Sequence, residues 1–275
     1  MRVFVTGAPG FIGTAVVREL LDAGHQVVGL TRSDAGAEVL KKAGAEVHRG
    51  SLDDLDSLHR GAAAADGVIH LAFNHNFSDF AAALTADLRA VETMGAALEG
   101  TGKPFVTTAH LRGEASEHAT LTLAGVRSSV VSLSLSVHGE GDHHGFVPRL
   151  IAIAREKGVS AYIGDGSNRW PAVHRLDAAT LYRLALEAAP AGARLDGVGD
   201  EGVPFRDIAG VIGRHLNLPL VSIAPEEAGD HFGAFLGTVA ARDLPRSSVA
   251  TQELLGWRPV HPGLIADIDR HYFNS

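Results

Sequence analysis

The stretch Thr6-Gly7-Ala8-Pro9-Gly10-Phe11-Ile12-Gly13 decides the fold of this chain. An apolar run at residues 3–6 leads into it and predicts a strand, whereas Ile12, Val16 and Leu20 recur at helical spacing after it. A helix that begins directly after such a turn points N–H groups without intrahelical partners, and the positive end of its dipole, towards the turn. The stretch therefore predicts a strand, a turn and a helix that together bind an anionic group.

Each of the three glycines has a physical reason in a dinucleotide site. Gly7 permits the tight turn, Gly10 lets the backbone approach a pyrophosphate, and Gly13 allows close packing of helix on strand. We therefore predict that the phosphates of a dinucleotide are held at Gly7, Gly10, Phe11, Ile12 and Gly13. A glycine-rich turn without a ligand is the alternative, and the flanking strand and helix favour the dinucleotide.

Short apolar runs alternate with helix-length amphipathic segments through the first half of the chain. The predicted strands are residues 3–6, 26–30, 45–48, 67–71, 105–108 and 129–133. This alternation predicts an α/β fold, a Rossmann-type doubly wound parallel sheet with helices on both faces. In the second half we predict helices over 178–188, 205–216, 225–241 and 247–255. We expect a dinucleotide-binding domain over 1–140 and a smaller substrate-side lobe over 141–275, interleaved with it, that packs on the sheet and closes a cleft.

The end of the second predicted strand indicates which dinucleotide is bound. An acidic side chain there would hold the ribose 2′-hydroxyl of NAD(H), whereas a basic one accommodates the 2′-phosphate of NADP(H). Residues 30–33 read Leu-Thr-Arg-Ser, so the Arg32 guanidinium can pair with the phosphate and the Ser33 hydroxyl can donate to it. NADP(H) is therefore favoured over NAD(H). A surface arginine in a loop is the alternative, and Asp34 could still bind a ribose.

Composition argues against several classes of protein. The 275 residues carry 24 Lys and Arg against 32 Asp and Glu, a formal charge of −8, so no global positive field attracts nucleic acid or an anionic membrane. Cysteine is absent, which removes disulfides and thiolate metal ligands. No apolar run reaches roughly 18 residues and no signal peptide is visible, so we expect no membrane span and a cytoplasmic location.

A glycine-bearing loop at residues 137–146 contains three histidines and two carboxylates. We predict no metal site there, because a zinc site needs convergent, well-supported ligands and the loop lacks a His-Glu-x-x-His spacing. Instead, we expect His138 to border a substrate and His143 and His144 to be exposed.

Further segments follow the glycine turn in a characteristic order. They are Gly50-Ser51-Leu52-Asp53, His70-Leu71-Ala72, Ser136-Val137-His138-Gly139 and Glu253-Leu254-Leu255-Gly256-Trp257-Arg258-Pro259. With these motifs, nearly the whole chain resembles an extended, atypical short-chain dehydrogenase/reductase of the NAD(P)-dependent epimerase/dehydratase-like branch. The resemblance implies that Asp53 meets the adenine beside Leu52 and caps a helix, that Leu71 and Ala72 pass beneath the adenosine ribose, and that Trp257 is structural. It also implies cofactor contacts at Thr107, Leu135, Ser136 and Val137.

The acid–base pair usual in that family, a Tyr four residues before a Lys, is missing. The three tyrosines are Tyr162, Tyr182 and Tyr272, and none is followed by a lysine at that spacing. Thr108 aligns best with the family's substrate-orienting Ser or Thr. His110 could donate a proton, since the unperturbed pKa of a histidine side chain lies near neutrality. Arg112 could replace the cation that holds the ribose. Tyr182 falls on a predicted helix of the other half and Tyr272 near the terminus, so we expect none of the three tyrosines to be the general acid.

Three interpretations remain open. The chain is a reductase that uses Thr108 and His110, a reductase in which water supplies the proton, or a catalytically inactive NADP(H) sensor or interaction protein. We favour an NADP(H)-dependent oxidoreductase acting on a small carbonyl, alcohol or imine, with a sugar-nucleotide epimerase or dehydratase as the enzyme alternative. The segment at residues 164–174 resembles the one beneath the family's substrate cleft, and Trp170 there could line the substrate or pack in the core. The expected partners are a small-molecule substrate and, if the chain is not a monomer, a second copy of itself.

Overall fold

The computed structural model of the chain describes residues 1–74 and 79–273. Within these residues the chain forms two compact units. The first, the sheet unit, comprises Met1–Leu133, Ala178–Asp196 and Ala250–Trp257; the second unit comprises Ser134–Asp177, Gly197–Val249 and the described part of Arg258–Ser275. The chain first passes from one unit to the other between Leu133 and Ser134, and a domain boundary after residue 140 stays a prediction.

Strands form at the short β-branched and aromatic runs of the sequence. In chain order they are β1 (Arg2–Thr6), β2 (Gln26–Thr31), β3 (Glu46–Arg49), β4 (Gly67–His70), β5 (Pro104–Thr108), β6 (Arg127–Leu133), β7 (Ser136–His138), β8 (Ser160–Ile163), β9 (Arg169–His174), β10 (Ala193–Gly197), β11 (Asp200–Pro204) and β12 (Leu220–Ile223). A seven-stranded sheet has the order β10-β6-β5-β4-β1-β2-β3, and the pairs from β6 through to β3 are parallel. The six predicted strands and the Rossmann-type parallel sheet are therefore confirmed.

The strand order changes direction between β1 and β4, because β2 and β3 lie on one side of β1 while β4, β5 and β6 lie on the other. In open parallel sheets, ligands bind outside the carboxyl ends of the strands at such a switch point. The glycine turn follows β1 and Leu71-Ala72 follows β4. The topology thus brings the two segments to the same place.

Helices connect most of the strands. They are α1 (Phe11–Asp22), α2 (Asp34–Ala43), α3 (Leu55–Ala63), α4 (Phe80–Leu98), α5 (Glu114–Leu121), α6 (Phe146–Lys157), α7 (Arg175–Ala188), α8 (Phe205–Leu216), α9 (Ala228–Phe232), α10 (Ala234–Ala240), α11 (Val249–Leu255) and α12 (Leu264–His271). Three of the four helices predicted in the second half are present with ends shifted by at most a few residues. In the part of the chain that the structure describes, none of the helices is both long enough and apolar enough to cross a bilayer.

The helix predicted over 225–241 was wrong as one element. The segment divides into a 3-10 turn at Pro225–Glu227, then α9 and α10. The break lies at Gly233, whose φ of +85° is outside the helical region and favours a residue without a Cβ. A Cβ on Gly237 of α10 would also lie 2.4 Å from the carbonyl oxygen of Ala228, so the two short helices pack very closely.

One core cluster of the sheet unit lies between the sheet and the α3 and α4 helices. Phe4 of β1 and Phe105 of β5 pack there against Leu58 of α3 and Met94 of α4. A Cβ on Gly61 would lie 2.4 Å from the ring of Phe4, so this glycine lets α3 approach the sheet. The close packing fixes α4, which carries a side chain of the candidate site.

The second unit has its own core. β11, β9 and β7 form a three-stranded sheet and β12 pairs with β8. Trp170 of β9 is completely buried, with ring centroids 4.8 Å from Phe205 and 5.6 Å from Phe146. This is the packing arrangement that the core interpretation of Trp170 requires.

Candidate cofactor and active site

The glycine turn has the close backbone contacts that its sequence predicts. Gly7 has a φ of +67°, and a Cβ there would lie 2.8 Å from the amide nitrogen of Ala72. A Cβ on Gly13 would lie 2.0 Å from the carbonyl oxygen of Gly7. The Gly10 amide donates to that same oxygen at 3.0 Å. Side chains at Gly7 and Gly13 would therefore prevent the turn, so both glycines are required by the fold itself.

Gly10 differs from its two neighbours and indicates where a ligand fits. It is the N-cap of α1, with no side-chain cap, and the first turn of α1 contains no acidic residue. Apart from its chain neighbours, a Cβ at Gly10 would meet the Gly7 carbonyl oxygen at 3.1 Å and no other atom of the described residues within 4 Å. Space therefore lies in front of a helix N-terminus whose dipole and N–H groups attract anions, and this arrangement fits the pyrophosphate of a dinucleotide.

Thr6 joins the glycine turn to the segment after β4. Its hydroxyl oxygen accepts from the amides of Leu71 and Ala72, each at 3.2 Å, and lies 2.6 Å from Nδ1 of His70. Because the two amides occupy its acceptor positions, the hydroxyl donates to His70 Nδ1. His70 therefore carries its proton on Nε2.

The predicted 2′-phosphate site lies after β2. Arg32 is exposed, and the Ser33 hydroxyl caps α2 by accepting from the Gly36 amide at 3.1 Å, which leaves its proton available to a ligand. Asp34 is ion-paired with Arg49, so its carboxylate already has a cationic partner.

The predicted adenine segment needs one correction. Asp53 is exposed and does not cap α3; Asp54 is the N-cap and accepts from the Ser57 amide at 3.0 Å. The chain makes a turn before α3, which displaces the cap by one residue. Leu52 packs against the core of the sheet unit, and contact of Asp53 with an adenine stays a prediction.

Thr108, at the end of β5, has a partner that the sequence did not indicate. Its hydroxyl donates to the His70 carbonyl oxygen at 3.0 Å and lies 2.7 Å from the hydroxyl of Tyr182. Since the only proton of Thr108 is engaged, Tyr182 is the donor of the second bond. Tyr182 is completely buried, and burial raises the pKa of its phenol. Its neighbour Thr107 is also buried, 3.2 Å from the hydroxyl of Thr120.

Tyr182 lies on a helix in the second half of the sequence, as predicted, yet it belongs to the sheet unit. α7 contributes residues 178–188 to the sheet unit, because the chain returns to that unit after Asp177. The buried phenol contacts Thr108, and any influence on a reaction would pass through the threonine.

His110 lies two residues beyond Thr108, against a buried carboxylate. Its ring stacks on Phe73 with a centroid distance of 4.1 Å, and its Nε2 lies 3.6 Å from Oδ1 of Asp87 on α4. His70 Nε2 donates to the same oxygen at 3.2 Å. Burial by itself would raise the pKa of Asp87, but the hydrogen bond from His70, with help from His110 and Ser116, brings that pKa below its usual value. Asp87 is therefore a buried anion beside His110.

Comparison with known proteins places this geometry in a family. A family profile described as NAD dependent epimerase/dehydratase matches residues 3–108. An uncharacterized protein of Schizosaccharomyces pombe is 47% identical, with 98% of each chain covered. The chain belongs to the NAD-dependent epimerase/dehydratase family. The resemblance inferred from the sequence motifs is confirmed.

One further sequence relative and one solved structure resemble this chain over most of its length. A 2-alkyl-3-oxoalkanoate reductase of Stenotrophomonas maltophilia is 27% identical, with 82% of this chain and 78% of the reductase covered. The crystal structure of a dTDP-glucose 4,6-dehydratase of Streptomyces venezuelae, with NAD bound, matches 98% of this chain and 95% of its own with a TM-score of 0.76 and 18% identity. That likeness shows a common fold, that of NAD(P)-binding Rossmann proteins.

The family residues predicted in the second unit lie on or beside β7. Ser136 is buried, and Leu135 packs against the core of the second unit. His138 is also buried, and its Nδ1 lies 2.8 Å from Oδ2 of Asp267. Because His138 and Trp170 are both enclosed by the second unit, we do not include them in the proposed site. Contacts of Leu135, Ser136 and Val137 with a cofactor stay predictions.

The remaining polar residues predicted in the second unit lie at its surface or along an open cavity. His143 and His144 are exposed, and among residues 1–74 and 79–273 no three His, Asp or Glu side chains converge as metal ligands would. An open cavity of about 440 Å³ is lined by the segment that resembles the family's substrate-cleft segment, including Asp165 and Arg169. The guanidinium of Arg169 makes a two-point ion pair with Asp243, at 3.0 and 2.9 Å.

Sequence reasoning missed two residues of this family member, Asp87 and Tyr182. Asp87 had a detectable signal, because it interrupts an otherwise apolar stripe on α4 with Ala83, Ala90 and Val91. A carboxylate on a buried face needs a partner, and such a position suggests a polar site. Tyr182 gave no comparable signal, since its contact with Thr108 joins positions 74 residues apart.

Proposed function

We propose that this protein is an NADP(H)-dependent oxidoreductase that acts on a small carbonyl, alcohol or imine without the tyrosine–lysine pair of its family. When bound, the cofactor would supply the hydride from nicotinamide C4. One observation carries the proposal: the glycine turn follows β1, and Thr108 and His110 follow β5, of one parallel sheet. Carboxyl ends of parallel strands share an edge, so an anion-binding turn and two polar side chains occupy the same edge.

The cofactor side of the proposal depends on the turn and on the ends of the neighbouring strands. The residues proposed to hold it are Gly7, Gly10, Phe11, Ile12, Gly13, Arg32, Ser33, Leu52, Asp53, Leu71, Ala72 and Thr107. The exposed guanidinium of Arg32 and the available proton of Ser33 support NADP(H) over NAD(H).

The proton donor in this proposal is His110, with Thr108 in an orienting role. Thr108 already donates its proton to the His70 carbonyl oxygen, so its remaining capacity is to accept a hydrogen bond. The His110 side chain is 15% exposed and can reach a ligand, whereas Tyr182 cannot. A proton donor must come within hydrogen-bond reach of the substrate oxygen, and of these groups His110 meets that condition.

The second-unit cavity favours a reductase of small carbonyl compounds over an enzyme that acts on sugar nucleotides. A diphosphate needs cationic partners, and Arg169, the arginine of the second-unit cavity, is already engaged by Asp243. The name of the Stenotrophomonas relative, a reductase of an oxoalkanoate, agrees with a carbonyl substrate.

The test is the loss of NADPH absorbance with a panel of aldehydes, ketones and imines. Substrate-dependent oxidation that is lost in Gly10→Val and reduced in His110→Gln would support the proposal. Binding of NADPH by calorimetry with no oxidation on any substrate would favour the sensor. Failure to bind either dinucleotide would contradict both.

A further inference from the structure

Asp87 is a charged residue whose position needs an explanation. It lies in the middle of α4 with an exposed fraction of 1%, on the face that packs into the core of the sheet unit. Removing an ionised carboxylate from water is costly unless charged or hydrogen-bonding groups replace the lost hydration. The groups that surround Asp87 therefore indicate the role of its negative charge.

Those groups come from three elements. Nε2 of His70, on β4, donates to Asp87 Oδ1 at 3.2 Å. Nε2 of His110, after β5, lies 3.6 Å from the same oxygen, within ion-pair distance but too far for a hydrogen bond. Ser116 of α5 also lowers the pKa of Asp87. The α3 helix contributes apolar side chains, such as Leu58 and Ala62, to the core that it shares with α4. Among residues 1–74 and 79–273, the titratable groups that face Asp87 are His70 and His110.

The two histidines differ in what they can do with a second proton. The Nδ1 atom of His70 accepts from Thr6, whose own acceptor positions are occupied by two amides. A second proton, on that nitrogen, would have no acceptor, and His70 serves Asp87 as a hydrogen-bond donor through Nε2. The negative charge of Asp87 is therefore left to be balanced by His110.

We propose that Asp87 is the positioning residue of the reaction: it orients the His110 ring through Nε2 and favours the imidazolium form of His110, which is the form that can donate a proton. An opposite charge within about 4–6 Å favours the charged form of a titratable group. In the reductive direction, the carbonyl carbon of the substrate accepts the hydride and its oxygen takes a proton from the His110 imidazolium. His110 is left neutral with a proton on Nε2 facing Asp87, and water restores the second proton.

This inference rests on the proposed function for the reaction, but its electrostatic part can be measured in the absence of turnover. In the imidazole NMR spectrum of the full-length protein, assigned with His110→Gln, the titration midpoint of His110 is expected to lie at least about one pH unit above its midpoint in urea. Asp87→Asn, which keeps the side-chain shape, is expected to lower the folded midpoint by a similar amount. Glu92→Gln removes the same charge from the exposed face of α4 and should leave the midpoint unchanged.

The kinetic arm separates positioning from a merely structural role. With a substrate found in the NADPH assay, Asp87→Asn is expected to lower kcat about tenfold or more, to move the alkaline limb of kcat/KM to lower pH, and to leave NADPH affinity unchanged. If Asp87→Asn does not fold, the comparison of folded and urea-unfolded wild-type protein still decides the matter. An unraised His110 midpoint, or a loss of kcat with an unmoved pH limb, would overturn the inference. Absence of turnover with a raised midpoint would contradict the proposed function alone.

Discussion

The hydroxyl of Tyr182 lies 2.7 Å from Thr108 Oγ1 and donates to it, because the proton of Thr108 is directed to the His70 carbonyl oxygen. Tyr182→Phe removes this donor and keeps the ring that fills the core. We expect a loss of about 1 kcal/mol in the free energy of unfolding, typical of one buried hydrogen bond. We also expect kcat to fall by about tenfold with NADPH affinity unchanged, since Thr108 loses one of the two hydrogen bonds that orient its hydroxyl. Urea unfolding and steady-state kinetics measure the two effects.

Tyr162→Phe is the matched control, since Arg206 lies over its ring at 5.4 Å and the ring is retained. A loss of a hundredfold or more confined to Tyr162→Phe would contradict both the role of Tyr182 and the choice of His110 as donor, because removal of a true general acid costs roughly 10²–10⁴ in rate. Thr108→Val and His110→Ala complete the series. Small losses in all of these variants would favour water as the proton source.

Cofactor preference is expected to depend on Arg32. If its guanidinium meets the 2′-phosphate, Arg32→Ala should weaken NADPH binding by roughly 1–3 kcal/mol and leave NADH binding nearly unchanged. Lys41→Ala removes an equal charge from the exposed end of α2 and serves as the control. Titration calorimetry with both dinucleotides is the measurement, and equal losses for both would show that Arg32 does not contact the phosphate.

The glycine turn predicts two different outcomes for the same kind of change. Gly10→Val places its Cβ 3.1 Å from one carbonyl oxygen in otherwise open space, so the fold should survive while binding of either dinucleotide is lost. Gly13→Val places its Cβ 2.0 Å from the Gly7 carbonyl oxygen and should prevent the native packing of α1. Circular dichroism and dinucleotide binding separate these effects. Undiminished affinity in Gly10→Val would place the cofactor elsewhere.

Stability is expected to fall in mild acid because of His174 in the second unit. Burial, and after it the charge of His138, lowers the pKa of His174 to about 4. The folded state thus binds fewer protons than the unfolded state between about pH 4 and 6.5, so stability that is present above the unfolded pKa is lost as pH falls through this window. His174→Asn keeps an acceptor for the Leu176 amide and removes the titration.

The difference in unfolding free energy between pH 7 and pH 4.5 should therefore be smaller in His174→Asn, by roughly 1–3 kcal/mol, than in the wild type. Urea unfolding across this range is the measurement. Parallel pH profiles of the two proteins would show that His174 does not remain neutral in the folded state.

The sequence predicted what depends on local pattern and missed what depends on tertiary contact. The strands that became β1 to β6 were visible because a parallel sheet buries both faces and leaves continuous apolar runs. The glycine turn was visible because three positions tolerate no Cβ or need open space. By contrast, the break at Gly233 resembles a tolerated helical glycine until the packing of α9 on α10 is known.

Asp87 and Tyr182 show the same limit at the site. Each acts through a partner brought to it by topology, His110 on another loop and Thr108 on another strand. A search for the family's tyrosine spacing finds nothing, because the buried phenol belongs to α7, in the second of the three chain segments of the sheet unit. The residue types were readable in the sequence, but their distances from one another were not.

The division of the sheet unit into three chain segments has a consequence for synthesis on the ribosome. Residues 1–133 emerge first, but β10, which covers the edge of β6, follows only after the residues of β7 to β9 have been made. Until then β6 is an exposed edge strand, a template for wrong pairing. The guanidinium of Arg127, on β6, also lacks its hydrogen-bond acceptors until then. These acceptors are the carbonyl oxygens of Ala185, Leu186 and Ala189, which belong to the segment that is made later. A nascent chain whose emerged part ends before residue 178 should therefore be a better client for chaperones than one whose emerged part includes β10.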